Sequence, residues 1–151
     1  MQELVYRTEL VGVLAELAKA GIAPLILKGT ALAYSHYADP ALRPRGDTDL
    51  LIPESQLHPT AAILNRLGYT RGRGVTGALI SYEANWSRDT AAGITHNLDV
   101  HGRINNSQIL AKLLTYDELA ARAAPVPALG PHAFAPRPVH ALLLACMHRA
   151  G

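Results

Sequence analysis

The sequence predicts an α/β domain in which helices flank a small mixed β-sheet. Segments with the apolar spacing of a helix alternate along the chain with short strand-like runs. Apolar residues make up 49% of the 151 residues, which is enough to bury a core in one compact domain. We therefore expect residues 1–151 to form a single domain. The final apolar run has neither a helix cap nor a polar tail, which predicts a truncated or shortened C-terminus.

The first half of the chain predicts alternating helices and strands. In order, these elements are a helix over residues 3–20, a strand over 25–27, a helix from residue 31, a strand over 47–52 and a helix over 55–67. Gly21 and Gly68 stand where left-handed caps would end the first and last of these helices. Pro53 stops the second strand, because proline cannot donate to the ladder.

The second half predicts a hairpin, then helices joined by an extended crossing. In order, these elements are strands over residues 79–86 and 94–104 with a turn over 89–93, a helix from 107, an extended segment over 124–138 and a helix over 139–148. The last helix is predicted to bury an apolar face that includes Leu142, Leu143 and Cys146. Cys146 is therefore interpreted as a core residue and not as a nucleophile.

Charge and cysteine content exclude several classes of protein. Fourteen Lys and Arg against twelve Asp and Glu give a net charge of +2, and the basic residues are scattered, so nucleic acid is not the expected partner. The single cysteine excludes an internal disulfide framework and fits a reducing compartment. No stretch has the length of a membrane span. A cytoplasmic location is the simplest expectation.

Three aspartates carry the strongest chemical signal. Asp47 and Asp49 are two residues apart on one strand, so both side chains should project from the same face. Two neighbouring carboxylates repel unless a cation neutralises them, and oxygen ligands favour Mg²⁺ or Mn²⁺. Asp99 belongs to another predicted strand and reaches the same place if the strands are neighbours. The pattern predicts a metal site.

The step from Gly29 to Thr30 predicts a seat for a phosphate group. Glycine allows close approach of the backbone, a beginning helix offers unpaired amides, and Thr30 adds a hydroxyl. If the strand before this step runs antiparallel to the strand that begins at Asp47, the seat lies beside the carboxylates. Lys28, Arg43 and Arg45 are candidates to neutralise phosphate charge.

Taken together, these motifs resemble a known family. The segments are residues 27–30 (Leu-Lys-Gly-Thr), 43–52 (Arg-Pro-Arg-Gly-Asp-Thr-Asp-Leu-Leu-Ile) and 98–101 (Leu-Asp-Val-His). They resemble the uncharacterised bacterial nucleotidyltransferase family of the DNA-polymerase-beta-like superfamily, over most of the chain. The resemblance implies that Gly29 and Thr30 are the phosphate-binding step, and that Asp47, Asp49 and Asp99 are the metal-binding carboxylates.

The resemblance also implies a reaction. A hydroxyl of an acceptor would attack the α-phosphate of a nucleoside triphosphate, with Mg²⁺ or Mn²⁺ held by the three carboxylates and pyrophosphate leaving. The acceptor is unknown: a small molecule, a peptide or a protein. His101 shares a strand face with Asp99 and is assigned to the acceptor side.

The same residues are also compatible with simpler roles. Asp47 and Asp49 can be a solvated strand start, Asp99 can pair with Arg103 or Lys28, and Lys28 is as well suited to an aspartate as to a phosphate. The chain can also be an inactive nucleotide- or partner-binding module, or a metal-dependent phosphohydrolase that uses the aspartates and His101. A zinc site lacks further ligands of matching spacing. The glycine pattern at residues 72–77 precedes a strand, so it does not predict a dinucleotide site.

Overall fold

In the computed structural model, the described residues form a seven-stranded mixed sheet, and its mixed character is the one that the sequence predicts. The structure describes residues 1–72, 83–104 and 114–150, with side chains as far as residue 147. The strands are β1 (Leu25–Ile26), β2 (Thr48–Leu51), β3 (Thr70–Arg71), β4 (Glu83–Asp89), β5 (Thr95–His101), β6 (Ala124–Pro125) and β7 (Phe134–Ala135). The helices are α1 (Gln2–Lys19), α2 (Lys28–His36), α3 (Leu57–Arg66), α4 (Tyr116–Ala120) and α5 (Pro138–Ala150).

The order of the strands places β2 and β5 at the centre. The sheet runs β3-β4-β5-β2-β1-β7-β6. Strands β1 and β2 are antiparallel, which is the arrangement that brings the end of β1 to the start of β2. Strands β2 and β5 are parallel, and their register sets Asp49 directly beside Asp99. The topology therefore joins the two predicted halves of the site.

Glycines end α1 and α3 in the way the sequence predicts. Gly21 and Gly68 have φ of +73° and +85°, a region that glycine adopts without a Cβ clash. After α1, the Ile22 amide donates to the Leu17 carbonyl at 3.0 Å, and after α3 the Tyr69 amide donates to the Leu64 carbonyl at 3.0 Å. These bonds satisfy carbonyls that the last turn would leave unpaired.

Two apolar clusters cover the two faces of the sheet. The larger joins α1 and α3 to one face, through residues such as Leu14, Leu64 and Leu98. The smaller lies on the other face and joins Leu25 and Leu51 to α4 and α5. Alternation along β2 gives Leu51 and Asp49 the same face, so the carboxylate lies beyond the end of the smaller cluster.

The C-terminal region differs from the prediction in two ways. The segment expected to be an extended crossing contributes β6 and β7, and β7 pairs in parallel with β1. The predicted apolar face of the last helix is wrong: Leu142 and Leu143 are 66% and 46% exposed, Cys146 is exposed, and Leu144 is the buried residue. Two-residue strands and a short apolar run carry too little periodicity to fix a face.

The hairpin is confirmed with shifted bounds. Strand β4 pairs antiparallel with β5 from Glu83 to Asp89, and the turn follows Asp89 instead of including it. The start of the predicted strand at residue 79 and most of the glycine pattern at 72–77 lie outside the described residues, as does the start of the helix predicted from residue 107. Within the described part of the chain, each helix is too short or too polar to cross a membrane.

Candidate active site

Asp49 and Asp99 form the centre of the site. They are register partners on the adjacent parallel strands β2 and β5. Asp49 is buried and Asp99 is half-buried. With His101, two residues further along β5, they offer ligand atoms that all lie within 4.8 Å of one another. Two carboxylates and an imidazole at this spacing can hold a metal ion.

Asp49 is held by two donors on one oxygen. Lys28 Nζ lies 2.6 Å and His101 Nε2 2.8 Å from Asp49 Oδ1. Burial raises the pKa of Asp49, but the hydrogen bonds from His101 and Lys28 outweigh it and leave the pKa below its ordinary value. Asp49 is therefore an anion in the fold. The pairing of Lys28 with an aspartate is one of the two roles the sequence left open.

The pKa of Asp99 is shifted in the direction opposite to that of Asp49. Burial first, and then the negative charges of Asp47, Asp49 and Glu83, raise its pKa above the ordinary value. The Asn85 side-chain amide donates to Asp99 Oδ1 at 2.7 Å across the β4–β5 ladder. Two carboxylates with opposite pKa shifts lie side by side, which is an arrangement typical of acid–base chemistry.

Asp47 lies apart from the group that can hold a metal. It precedes β2, is exposed, and is not a member of the set formed by Asp49, Asp99 and His101 among the described residues. It lies close enough for its charge to raise the pKa of Asp99. Among the described residues, the group within 4.8 Å thus contains His101, and Asp47 borders the same cavity as Asp99. A metal role for Asp47 remains a prediction.

The predicted phosphate seat lies at the beginning of α2. The helix begins directly after Leu27, whose amide donates to the Asp49 carbonyl at 2.9 Å, so the first turn is fixed to β2. Lys28 has a φ of +49°, which is uncommon for a residue with a side chain. The first amides of a helix have no acceptor within it. Gly29 and Thr30, the predicted phosphate-binding step, lie in the first turn of α2 beside Asp49, and a phosphate role for them stays a prediction.

Thr30 and Arg45 are directed elsewhere than predicted. Thr30 is 1% exposed and its hydroxyl lies 3.1 Å from that of Thr48, on the inner side of β2. The side chain of Arg45 is 7% exposed, and its Nη2 lies 2.6 Å from Glu3 Oε1. Both side chains are already engaged inside the protein. Their predicted phosphate contacts are therefore not supported.

Arg43 remains beside the phosphate seat. Its Nε donates to the Gly29 carbonyl at 3.3 Å, and its guanidinium lies over the Tyr37 ring at 5.8 Å from the centroid. A Cβ added to Gly29 would lie 4.0 Å from Arg43 Nε. Arg43 and Lys28 are therefore the cationic side chains that border the start of α2.

A cavity opens beside Asp99, and Lys28 is not among the residues that line it. It has a volume of about 420 Å³ and is lined by Gly46, Asp47, Gly72, Asn85, Trp86, Ser87, Asn97 and Asp99. Asn97 donates to the Gly46 carbonyl at 3.0 Å, which fixes the loop before β2 against β5. The sequence motifs did not indicate Asn85, Ser87 and Asn97. The alternation of β4 and β5 is the signal that would have placed them beside Asp99.

Comparison with known families agrees with this arrangement. The model of a family described as uncharacterised nucleotidyltransferases matches residues 1–151. The chain belongs to that family. Membership confirms the resemblance seen in the sequence, and the observed mixed sheet with helices on both faces confirms the predicted fold class.

This member of the nucleotidyltransferase family has low similarity to the individual proteins that were compared with it. No curated protein matches the chain. One similar solved structure is a chain in the crystal structure of the complex between the Type VI effector Tas1 and its immunity protein. The identity is 20% and the TM-score 0.46, over 99% of this chain and 90% of that one.

Proposed function

We propose that this protein transfers a nucleoside monophosphate from a nucleoside triphosphate to a hydroxyl group, with Mg²⁺ or Mn²⁺. The observation that supports this most directly is the in-register pair of Asp49 and Asp99 next to the beginning of α2. Carboxylates that bind a metal and amides that bind phosphate are the two halves of a nucleotidyl-transfer site. The family to which the chain belongs supports a nucleoside triphosphate as substrate.

The donor set fits the proposed cation. Asp49 and Asp99 supply the oxygen ligands that Mg²⁺ and Mn²⁺ favour, and His101 adds a nitrogen within the same 4.8 Å group. A divalent cation bound there would supply charge neutralisation at the phosphates and polarisation of a bound oxygen. His101 also bonds Asp49, so it orients that carboxylate whether or not it binds the cation itself.

The positive side chains are proposed to bind the triphosphate. Lys28 is paired with Asp49, and its side chain is 42% exposed, so it can turn from the carboxylate to a phosphate oxygen that arrives at α2. Arg43 borders Gly29 and presents a planar guanidinium that suits two phosphate oxygens. The buried side chains of Thr30 and Arg45 are proposed to position the loop before β2. Thr30 does so through its contact with Thr48, and Arg45 through its ion pair with Glu3.

Asp99 is the proposed base. The acceptor hydroxyl oxygen forms a bond to the α-phosphorus while the bond between that phosphorus and the bridging oxygen to the β-phosphate breaks. Pyrophosphate leaves with the electron pair, and the hydroxyl proton passes to the Asp99 carboxylate. Asp99 belongs to the 4.8 Å group that would hold the cation, so its carboxylate lies next to the hydroxyl that the cation would polarise. Asn85 keeps Asp99 oriented through its hydrogen bond.

A metal-dependent phosphohydrolase is the second candidate, and the position of His101 favours it. Two aspartates and a histidine within 4.8 Å also form a set that can direct water to a phosphate. The two reactions differ in their products. Transfer gives pyrophosphate and a modified acceptor, whereas hydrolysis gives a shortened nucleotide and no modified acceptor. Mass analysis of the products therefore separates them.

Thermal stabilisation by nucleotides tests the proposal without knowledge of the acceptor. Each nucleoside triphosphate is added with and without Mg²⁺ to the wild type and to Asp49→Asn, which keeps the size of the side chain. We expect a rise in melting temperature that needs Mg²⁺ and is lost in Asp49→Asn, because a ligand of the folded state stabilises it. Asp117→Asn, an exposed substitution in α4, serves as the matched control. No rise with any triphosphate would contradict the proposal.

A further inference from the structure

The cavity beside Asp99 has a polar floor formed by two paired strands. Asn85 is the register partner of Asp99, and Ser87 is the register partner of Asn97. Partners in an antiparallel ladder share a face, so these four side chains lie together. Trp86 and Leu98, the residues between them, are buried in the core on the other face. The floor is therefore made of polar groups on a rigid support.

The neutral side chains of this floor present hydrogen-bonding groups of both kinds. Asn85 donates one bond to Asp99, and Asn97 donates one to the Gly46 carbonyl. A side-chain amide has two donor hydrogens and an acceptor oxygen, and a serine hydroxyl donates and accepts. Groups of this mixed character suit a ligand that carries several hydroxyls.

Charge divides the site into two halves. Lys28 and Arg43 border the start of α2, while the described residues around the cavity include two carboxylates, Asp47 and Asp99, and no Lys or Arg. Glu83 lies on the same face, 3.7 Å from His101 Nδ1. A cation at Asp49 and Asp99 would offset the charge of Asp99, but Asp47 and Glu83 lie outside that group and would still repel an anionic acceptor, because like charges that face each other are unfavourable.

We propose that this cavity binds the acceptor, and that the acceptor is a neutral or positively charged small molecule rich in hydroxyl groups. The inference rests on the proposed nucleotidyl transfer. The volume of about 420 Å³ is in the range of small-molecule sites. Acidic and phosphorylated acceptors are disfavoured by the negative charges of Asp47 and Glu83.

Three sugar probes that share a ring and differ in charge test the inference. Methyl glucoside is neutral, glucosamine is a cation and glucuronate is an anion. Each is titrated calorimetrically into the full chain with Mg²⁺ and without nucleotide. We expect methyl glucoside and glucosamine to bind at least about tenfold more tightly than glucuronate, because the cavity repels the carboxylate.

Variants locate the effect in the cavity. Ser87→Lys adds a positive charge to the floor and is expected to strengthen glucuronate binding and weaken glucosamine binding, which reverses their order. Ser35→Lys makes the same change at an exposed position of α2 and should bind like the wild type. If Ser87→Lys does not fold, as judged by circular dichroism, Asn97→Lys replaces it with the same expected reversal.

The outcomes separate this inference from the proposed function. Equal binding of glucuronate and methyl glucoside by the wild type overturns the inference, as does an unchanged order in the folded lysine variant, or no binding of any probe. Stabilisation by Mg²⁺ and a triphosphate is measured on the same samples. If that stabilisation is lacking while the probes follow the expected order, the proposed function fails and the charge selection of the cavity stands.

Discussion

Lys28 is hydrogen-bonded to an oxygen of Asp49 that a bound cation would also need. The ammonium group lies 2.6 Å from Asp49 Oδ1, where it neutralises a buried carboxylate in the absence of metal. A cation that binds Asp49 has to compete with it. Lys28 would then be released to the phosphates, so binding of metal and binding of triphosphate should support each other.

Replacing Lys28 tests this competition. In Lys28→Met, we expect affinity for Mn²⁺ alone to rise about tenfold, equivalent to a charge-assisted hydrogen bond of ~1.4 kcal/mol. Affinity for the triphosphate with Mg²⁺ should fall by a similar factor, because a phosphate partner is lost. Both are measured by calorimetry, with Lys19→Met on the exposed surface of α1 as the control. A weaker or unchanged affinity for Mn²⁺ would show that Lys28 does not compete.

The sequence could predict the position of a site residue where local backbone geometry alone decides which way its side chain projects. Alternation along β2 and β5 is local, so the sequence correctly placed Asp49 and Asp99 near each other. The ion pair of Arg45 could not be predicted, because its partner, Glu3, is distant in sequence and meets it only in the folded chain. Thr30 turns inward for a similar reason, since its partner Thr48 belongs to another element.

His96 provides a second prediction at the scale of single residues. It is 1% exposed, and its Nδ1 lies 2.7 Å from the Tyr69 hydroxyl. Its ring also faces Tyr6 of α1, with centroids 5.8 Å apart. Burial, and then the charges of Arg88 and Arg45, lower the pKa of His96 from 6.5 to about 4. The folded protein therefore holds this ring neutral where the unfolded chain binds a proton.

The sign of the pH effect follows from that difference. Above pH ~6.5 neither state binds the proton. As the pH falls from there to about 4, only the unfolded state binds it, so the folded state loses stability. We expect a loss of about 2 kcal/mol in the free energy of unfolding between roughly pH 7.5 and 5 from this residue. Urea unfolding of the wild type and of His96→Gln measures it.

Glutamine at position 96 cannot bind a proton in this range but can still bond Tyr69. His96→Gln should therefore flatten the pH dependence, whereas His58→Gln, at an exposed position of α3, should leave it as in the wild type. The same slope in wild type and His96→Gln would assign the effect to other groups.

At the scale of elements, the sequence was most informative where a segment is long and periodic. Helix α1 and the two glycine caps agree with the prediction because apolar spacing and φ are properties of the segment itself. Strands β6 and β7 have two residues each, and they exist because β1 offers an edge to pair with. Helix α5 is apolar on more than one side, so only its packing decides which leucine is buried.

Two leucines of α5, two residues apart, allow a direct comparison. Leu144 is 9% exposed and packs with Leu25, Leu51 and Leu119, whereas Leu142 is 66% exposed. We expect Leu144→Ala to lower the free energy of unfolding by about 2 kcal/mol or more, because it leaves a cavity. Leu142→Ala should change it by no more than about 0.5 kcal/mol. Chemical denaturation measures both, and equal losses would show that α5 packs through another face.

At the scale of the whole molecule, the main apolar core and the candidate active site lie on opposite faces of the sheet. One face carries the main core under α1 and α3, and the other carries the carboxylates and the polar floor of the cavity. Leu50 and Val100 are paired at the centre of the sheet and are both buried. The residues of the proposed site are thus attached to central strands that the main core supports.

Hydrogen exchange should show that the central strands of the sheet open at a higher free energy than its edge strand. We expect the amides of Leu50 and Val100 to exchange only by global unfolding, because they lie in central strands with partners on both sides. In the edge strand β6, Pro125 has no amide hydrogen, so Ala124 is the reporter, and its amide should exchange by local opening at a free energy several kcal/mol lower. A triphosphate with Mg²⁺ should slow exchange at Leu50 and Val100, since it raises the free energy of global unfolding by about 2.7 kcal/mol at 100 times its Kd. The exchange of β6 should stay unchanged, because its opening leaves the site intact. Equal protection of β6 and β2 would mean that the sheet opens as one unit, and that the site has no more rigid a support than the edge.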